Sequence, residues 1–278
     1  MPTAQHNQYE IYYAVSGSGP ALVLLHSFLC DGEMWKEQVA PLSEHYRVIN
    51  IDIRGHGRSS AADQPLDIYD LVLDVIAVLD KEGVESATWA GLSIGGMIAL
   101  RAALTVPKRV AGLMLLDSHA GTETGFKKFK YRAMVAAAKL FGIKPLLPKV
   151  SKLMFGQHTL TTQPELVQYW KGKFATMPLL SIEHMVDALC NRDSLKTQLG
   201  EIQQPALVLV GEEDLSLPPP CSISMAERLP DAQLKVVEKA GHLSSLEQPE
   251  AVTKAMLEFM REHQPPQSEQ KNDSIRST

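Results

Sequence analysis

Short apolar segments alternate with helical segments along most of this chain, and that alternation restricts the fold more than any other feature. The apolar segments have the length and β-branched content of strands buried in parallel sheets. They lie at residues 21–25, 47–51, 87–90, 110–116, 206–210 and 233–237. The helical segments lie at residues 34–42, 68–81, 95–104, 221–229 and 250–262. This order predicts an α/β fold in which helices cover both faces of a mostly parallel sheet.

The alternation stops between residues 119 and 204. This interval contains no convincing strand, only helical segments that are interrupted by prolines and rich in Phe and Met. We expect a helical cap over 119–204, inserted between late strands of a core that comprises 1–118 and 205–263. Residues 264–278 are polar and contain two prolines, a composition that predicts a disordered tail.

The composition disfavours several classes of protein. A net charge of −5 argues against nucleic-acid binding, which usually needs a basic surface. The first ten residues lack the basic start and apolar stretch of a secretory signal, so we expect none. No apolar run approaches the roughly 20 residues that span a bilayer, so we also expect no membrane association. Cys30, Cys190 and Cys221 are widely spaced and lack metal-ligand spacing, as in proteins of reducing compartments. We expect a cytoplasmic monomer or homodimer without a metal or other cofactor.

A serine between two glycines stands where a predicted strand turns into a predicted helix, in the sequence GLSIG at residues 91–95. Alone, this pattern is a weak signal. At a strand-to-helix turn it is strong, because the tight bend exposes the hydroxyl of Ser93. The helix that follows directs its N–H groups and positive dipole end at developing negative charge. Ser93 is therefore a candidate nucleophile.

A serine attacks well only when a base accepts its proton, and that base needs an orienting carboxylate. His242 follows the last predicted strand, in the sequence AGH, and Asp214 follows the strand at 206–210, in the sequence GEED. Both should emerge with Ser93 at the carboxyl edge of the sheet. We therefore expect a Ser93–His242–Asp214 catalytic triad.

A second aspartate competes for the role of the acid. Asp117 follows the predicted strand at 110–116 and could also reach a histidine at that edge. We prefer Asp214, because it lies on the later strand and because its flexible GEED turn can aim the carboxylate.

Five motifs lie in register along nearly the whole chain up to His263. They are HSF (26–28), DIRGHGRS (52–59), GLSIGG (91–96), GEED (211–214) and AGH (240–242). Together they resemble the α/β-hydrolase family, most closely the branch that contains 3-oxoadipate enol-lactonases and related esterases and perhydrolases. The resemblance implies an oxyanion hole formed by the backbone N–H groups of Phe28 and Ile94.

Further residues near these motifs are candidates for substrate contact. Ser27 stands where many relatives have glycine, and we expect its side chain to lie in the oxyanion loop without donating to the substrate. His26 is expected to anchor that loop, with substrate contact as the alternative. His119 begins the predicted cap and would reach the pocket from there. Asp52 and Arg54 are expected to order the neighbouring loop through an ion pair.

The resemblance implies hydrolysis of a carboxylic ester or lactone of a small molecule through an acyl-enzyme. The same triad also permits perhydrolysis, carbon–carbon bond hydrolysis or acyl transfer to an alcohol. A ligand-sensing receptor with slow turnover is the alternative from another class. Fast, multi-turnover cleavage of a simple ester would distinguish the enzyme from the receptor.

Eight basic residues and no acidic residue lie between Phe126 and Lys152. One interpretation is a solvated helix face, with an apolar stripe turned inward that consists of Phe126, Phe129, Ala133, Ala137 and Leu140. The other interpretation is a basic cap edge that steers anionic substrates toward the pocket.

Overall fold

The computed structural model describes residues 2–264, and within this range the chain forms one eight-stranded sheet and eleven α-helices. The strands are β1 (Thr3–His6), β2 (Tyr9–Ser16), β3 (Ala21–Leu25), β4 (Arg47–Ile51), β5 (Ala87–Leu92), β6 (Val110–Leu116), β7 (Ala206–Gly211) and β8 (Ala232–Val237). The helices are α1 (Lys36–Ser43), α2 (Ile68–Lys81), α3 (Ile94–Thr105), α4 (Gly125–Phe141), α5 (Leu147–Met154), α6 (Gln157–Thr162), α7 (Pro164–Phe174), α8 (Leu179–Asn191), α9 (Pro219–Ala226), α10 (Ser244–Glu247) and α11 (Pro249–His263).

The spatial order of the strands is β1-β2-β4-β3-β5-β6-β7-β8. The pairs β1–β2 and β2–β4 are antiparallel, and all the later pairs are parallel. The prediction of a mostly parallel α/β sheet is thereby confirmed. Parallel strands end at one edge of a sheet, so the loops that follow β3, β5, β7 and β8 meet there.

The central strands are buried on both sides, as their continuous apolar sequences require. Val23 and Leu25 of β3 pack into a cluster with residues of α2 and α3. Leu22 and Leu24 point the other way and pack with residues of α1 and α11. Helices thus cover both faces of the sheet, as predicted.

Five helices, α4 to α8, lie between β6 and β7, and residues 117–205 contain no strand. We call these helices the helical insertion. Phe155, Trp170 and Phe174 are buried and pack it onto the rest of the molecule. The exact boundaries of a separate cap, 119–204, stay a prediction.

The orientation of α4 differs from the sequence-based interpretation. Phe126, Phe129 and Leu140 are 75%, 72% and 77% exposed, so the expected inward stripe faces outward. The opposite face of α4 is turned inward instead and carries Tyr131, Met134, Val135 and Ala138.

Two expectations concern the ends of the chain and its relation to membranes. The predicted tail at 264–278 lies outside the described residues, except for Gln264. Among the helices of residues 2–264, none has both the length and the hydropathy needed to cross a bilayer.

Candidate active site

Ser93 lies on the sharp turn between β5 and α3. Its backbone has φ 56° and ψ −112°, a conformation that residues other than glycine rarely adopt. The turn needs its two glycines because the backbones approach closely. A Cβ on Gly91 would lie 2.1 Å from the carbonyl carbon of Gly95, and one on Gly95 would lie 2.3 Å from the Leu25 carbonyl oxygen. The GLSIG sequence is therefore explained by packing as well as by chemistry.

The strained turn is held by hydrogen bonds from β6 and the loop that follows it. The Ser93 N–H donates to the Leu116 carbonyl at 2.8 Å, and the Ser118 hydroxyl donates to the Ser93 carbonyl at 2.8 Å. Strain of this kind persists only where neighbouring groups fix the conformation.

His242 and Asp214 are in direct contact at the carboxyl edge of the sheet. His242 Nδ1 lies 2.8 Å from Asp214 Oδ2, and both side chains are almost completely buried. The other oxygen, Asp214 Oδ1, accepts the N–H groups of Ser216 and Leu217 at 2.8 and 2.9 Å. A carboxylate in this position keeps the proton on Nδ1, which leaves Nε2 free to act as a base.

The same contact sets the basicity of the imidazole. Burial lowers the pKa of His242, but the charge and the hydrogen bond of Asp214, together with the charges of Asp117 and Glu247, raise it by more. The net pKa is therefore raised above its ordinary value of 6.5.

Asp117, the alternative acid, accepts hydrogen bonds from the backbone and from a serine instead of contacting the imidazole through a hydrogen bond. Its Oδ1 accepts the Gly211 N–H at 2.7 Å, and its Oδ2 accepts the hydroxyl of Ser244 at 2.5 Å. It thus ties the end of β7 to the start of α10. Burial and, secondly, the nearby charge of Asp214 raise the pKa of Asp117. The structure therefore gives His242 its carboxylate partner in Asp214.

Glu247 was not found from the sequence, yet it shapes the histidine loop. This buried carboxylate accepts the N–H groups of Gly241 and Leu243 at 3.0 and 3.2 Å, on either side of His242. Its other oxygen accepts the N–H of Gly156 in the helical insertion at 2.8 Å. A lone glutamate in a helical segment gives no sequence signal for such a role.

The candidate oxyanion donors face no other partner. Within residues 2–264, the backbone N–H groups of Phe28 and Ile94 make no hydrogen bond. The Phe28 loop is fixed by His26, whose Nδ1 donates to the Ser27 carbonyl while its Nε2 accepts the Ile53 N–H, both at 2.8 Å. His26 thus anchors the loop with both ring nitrogens and does not line the cavity, contrary to the substrate-contact alternative.

Ser93 and His242 open onto one cavity of about 140 Å³ between the sheet edge and the helical insertion. Ser27 also lines it, and the Ser27 hydroxyl is buried without a hydrogen-bond partner in the described chain. His119, expected at the pocket, is not among the lining residues. Within residues 2–264, the Ser93 hydroxyl makes no hydrogen bond to His242. In enzymes without substrate, the hydrogen bond between nucleophile and base is often long and shortens only when substrate binds.

Most of the cavity wall is apolar and comes from the helical insertion. Its apolar residues are Phe28, Leu29, Met97, Met134, Val135, Ala138, Ile143, Leu146, Val150, Leu153, Met154, Ile182, Val186, Leu189 and Leu217. One ion pair interrupts them, between Arg192 and Glu123 at 2.9 Å. Both side chains are buried, and Arg192 also donates to the Gly121 and Leu189 carbonyls. The arginine is thus neutralised and leaves no free cation for a substrate carboxylate.

No candidate metal-binding site is found in the described part of the chain, because residues 2–264 contain no group of three or more His, Cys, Asp or Glu side chains arranged to hold an ion.

Comparisons with known proteins agree with the fold. Residues 22–255 match the model described as the alpha/beta hydrolase family. The chain is 33% identical over 247 residues to the dihydrolipoyllysine-residue acetyltransferase component of the acetoin cleaving system of Pseudomonas putida, a match that covers 88% of this chain and 64% of that protein. It is 30% identical over 254 residues to 3-oxoadipate enol-lactonase 2 of Acinetobacter baylyi, covering 90% of this chain and 92% of that protein.

Among solved structures, a thermophilic esterase from Thermogutta terrifontis superimposes with a TM-score of 0.89 at 28% identity. The alignment covers 94% of this chain and 97% of the esterase. Since the family model spans residues 22–255, most of the chain, the chain belongs to the alpha/beta hydrolase family.

Proposed function

We propose that this protein is a serine hydrolase that cleaves a carboxylic ester or lactone of a small molecule. One observation carries the proposal: the hydrogen-bonded pair of His242 and Asp214 shares an apolar cavity with Ser93 on its strained turn. The similarity to an enol-lactonase and to an esterase supports the same substrate class.

In the first step, the Ser93 hydroxyl attacks the substrate carbonyl while His242 Nε2 accepts its proton. Asp214 keeps the imidazole in the required tautomer and stabilises its charged form. The resulting oxyanion accepts the free N–H groups of Phe28 and Ile94. Each such donor contributes on the order of 10²–10³ to the rate.

In the second step, the protonated His242 gives its proton to the leaving alcohol or enol, and the acyl group stays on Ser93. Water then enters, loses a proton to His242 and attacks the acyl carbonyl. As the bond between the acyl carbon and the Ser93 oxygen breaks, His242 gives this proton to that oxygen, so the carboxylic acid leaves and the Ser93 hydroxyl is restored. The same base and the same oxyanion donors act in the formation and in the hydrolysis of the acyl-enzyme, as in other serine hydrolases.

The cavity supports a small, uncharged acyl or alcohol group as the bound part of the substrate. Its volume of about 140 Å³ is well below the roughly 300–1,000 Å³ of sites for drug-sized ligands. Its single charged feature, the Arg192–Glu123 pair, is already satisfied. A carboxylate buried there would lack a counter-ion and would be expensive to desolvate.

The compartment is a further part of the proposal. The free thiols of Cys30 and Cys190 are buried, and Cys221 is also unpaired. Unpaired cysteines support a reducing compartment such as the cytoplasm.

The proposal is tested by turnover of p-nitrophenyl acetate, butyrate and octanoate, with a set of simple lactones. We expect multiple turnovers and a preference for the short esters. Ser93→Ala should abolish turnover, whereas Ser86→Ala, at an exposed serine, should change nothing. Turnover that survives in Ser93→Ala would contradict the proposal, and so would failure to cleave any ester or lactone.

A further inference from the structure

The outer face of α4 exposes a continuous row of large apolar side chains. Phe126, Phe129, Leu140 and Phe141 are each between 72% and 77% exposed. Their spacing places them on one side of the helix, with Ala133 and Ala137 completing the row. These six residues are called the outer face of α4 below. Contiguous exposed apolar surface of this kind usually marks an interaction site.

The segment 126–152, which includes most of α4, contains basic residues and no acidic residue. The eight basic residues of the segment are Lys127, Lys128, Lys130, Arg132, Lys139, Lys144, Lys149 and Lys152. Arg132 and Lys139 pair with Asp187 and Glu183 on α8, and Lys127 lies 3.8 Å from Glu123. The other five have no ion pair within residues 2–264. Of these five, Lys128 and Lys130 lie on α4 itself and Lys144 follows its C-terminal end, so the helix with the apolar row also carries positive charge that no ion pair of the described residues neutralises.

We propose that the outer face of α4 docks on an anionic lipid surface. A helix with an apolar face flanked by lysines lies in the plane of the membrane interface, with its aromatic side chains among the acyl chains. The lysines attract the negatively charged headgroups. The proposal departs from the expectation of no membrane association, which rests on the lack of a spanning segment or leader and does not consider a surface helix.

The charges favour lipid over a second copy of this chain. A symmetric dimer through this face would bring the same patch of each copy together. The unpaired lysines of one copy would then face those of the other, and like charges across an interface are costly. An anionic membrane would bury the apolar row among its acyl chains and place negatively charged headgroups next to the lysines.

Docking would place the cavity next to the lipid. The opposite face of α4 contributes Tyr131, Met134, Val135 and Ala138 to the cavity wall. The helix therefore separates the proposed membrane surface from the proposed active site by its own width. Binding to lipid through the outer face does not depend on the identity of the nucleophile, so this inference and the proposed function can fail independently.

The test is cosedimentation of the full chain with sucrose-loaded vesicles of phosphatidylcholine alone and of phosphatidylcholine with phosphatidylglycerol. We expect binding to the anionic vesicles only, weakened by salt because the Debye length falls from about 30 Å at 0.01 M to about 10 Å at 0.1 M. Phe126→Ala/Phe129→Ala should weaken binding at least about tenfold, since exposed phenyl rings would no longer be buried in lipid. Lys130→Gln/Lys144→Gln should weaken it about thirtyfold.

Matched controls lie elsewhere on the surface. Leu73→Ala removes an exposed apolar side chain from α2, and Lys108→Gln removes an exposed cation, so neither should alter binding. Hydrolysis of a water-soluble ester without vesicles should be the same in all four variants. The proposal is overturned if anionic vesicles do not bind the protein, or if the control variants lose as much binding as the α4 variants. A solution dimer that Phe126→Ala/Phe129→Ala converts to monomer would overturn it equally.

Discussion

Two buried aspartates lie near His242, and their hydrogen bonds separate their roles. Asp214 contacts the imidazole and is held by two N–H groups of its own turn. Asp117 makes no hydrogen bond to the ring within residues 2–264 and instead ties β7 to α10 through Gly211 and Ser244. In the proposed mechanism, Asp214 orients the base, whereas Asp117 holds the surrounding backbone in place.

Exchanging each aspartate for asparagine should give different defects. Asp214→Asn should lower kcat about 10⁴-fold, because the amide favours the wrong tautomer of His242. Asp117→Asn should keep kcat within about tenfold and destabilise the fold by about 1–3 kcal/mol, the cost of a disturbed buried hydrogen bond. Steady-state kinetics and urea unfolding of both variants make the comparison. An inactive Asp117→Asn beside an active Asp214→Asn would reverse the two roles.

The pH profile reports on His242 directly. The imidazole must be neutral to accept the Ser93 proton, so kcat/KM should rise with pH through an apparent pKa above 6.5. In Asp214→Asn the residual activity should rise at a lower pH, because the charge that raises this pKa is gone. Initial rates measured from about pH 5 to pH 9 show both midpoints. A midpoint that the substitution leaves unchanged would mean that another group titrates.

Ser27 is buried in the cavity wall with a hydroxyl that has no partner in the described chain. Two backbone N–H groups already face the expected oxyanion, so Ser27→Gly should keep kcat within about tenfold, less than the loss of one donor gives. The kinetic constants of the variant decide the point. A fall of several hundredfold in kcat at constant KM would make the hydroxyl a third donor.

Residues in motifs could be predicted, whereas their long-range partners could not. Ser93, His242 and Asp214 each follow a recognisable strand, so the parallel sheet brings their loops together. The expected ion pair between Asp52 and Arg54 is wrong. Asp52 pairs with Arg58 at 3.0 Å, and Arg54 pairs with Asp74 on α2. The pairing of Arg54 depends on how α2 packs against this loop, which local sequence does not record, and Asp52 then pairs with the other arginine of the motif.

At the scale of elements, the turn from β5 to α3 tolerates the least change. Gly95→Ala should lower the free energy of unfolding by more than about 3 kcal/mol, because the new methyl group meets the Leu25 backbone. Gly172→Ala is the matched control on α7. It meets nothing within 4 Å and should stabilise the helix by about 0.5–1 kcal/mol. Thermal and urea unfolding compare the two, and equal effects would show that the close packing at the turn has been overestimated.

The elements that sequence reasoning missed have weak or ambiguous patterns. Thr3–His6 forms β1 although it lacks an apolar run, because it is an edge hairpin with β2. Helix α4 carries two apolar stripes, and the larger aromatic one suggested the inward side. The tertiary structure buries the other stripe, with Tyr131 and Met134, above the cavity. Periodicity alone cannot choose between two such faces.

At the scale of the whole molecule, the sheet edge and the helical insertion together define the cavity. The carboxyl edge collects the loops of β3, β5, β7 and β8, and the insertion supplies most of the apolar wall. The order of strands and helices in the sequence predicts this arrangement, because parallel strands deliver their loops to one edge. The volume and lining of the cavity depend on side-chain packing and could not be predicted. The steering of anionic substrates by the lysine run stays a prediction.

The central claim is that Ser93 forms the acyl-enzyme with His242 as its base. The most direct measurement is the site of covalent modification by diethyl p-nitrophenyl phosphate, a phosphorylating analogue of an ester, mapped by peptide mass spectrometry. A single adduct on Ser93 is expected, absent in Ser93→Ala and formed far more slowly in His242→Ala. An adduct on another residue, such as Ser27, or full labelling of Ser93→Ala would contradict the claim.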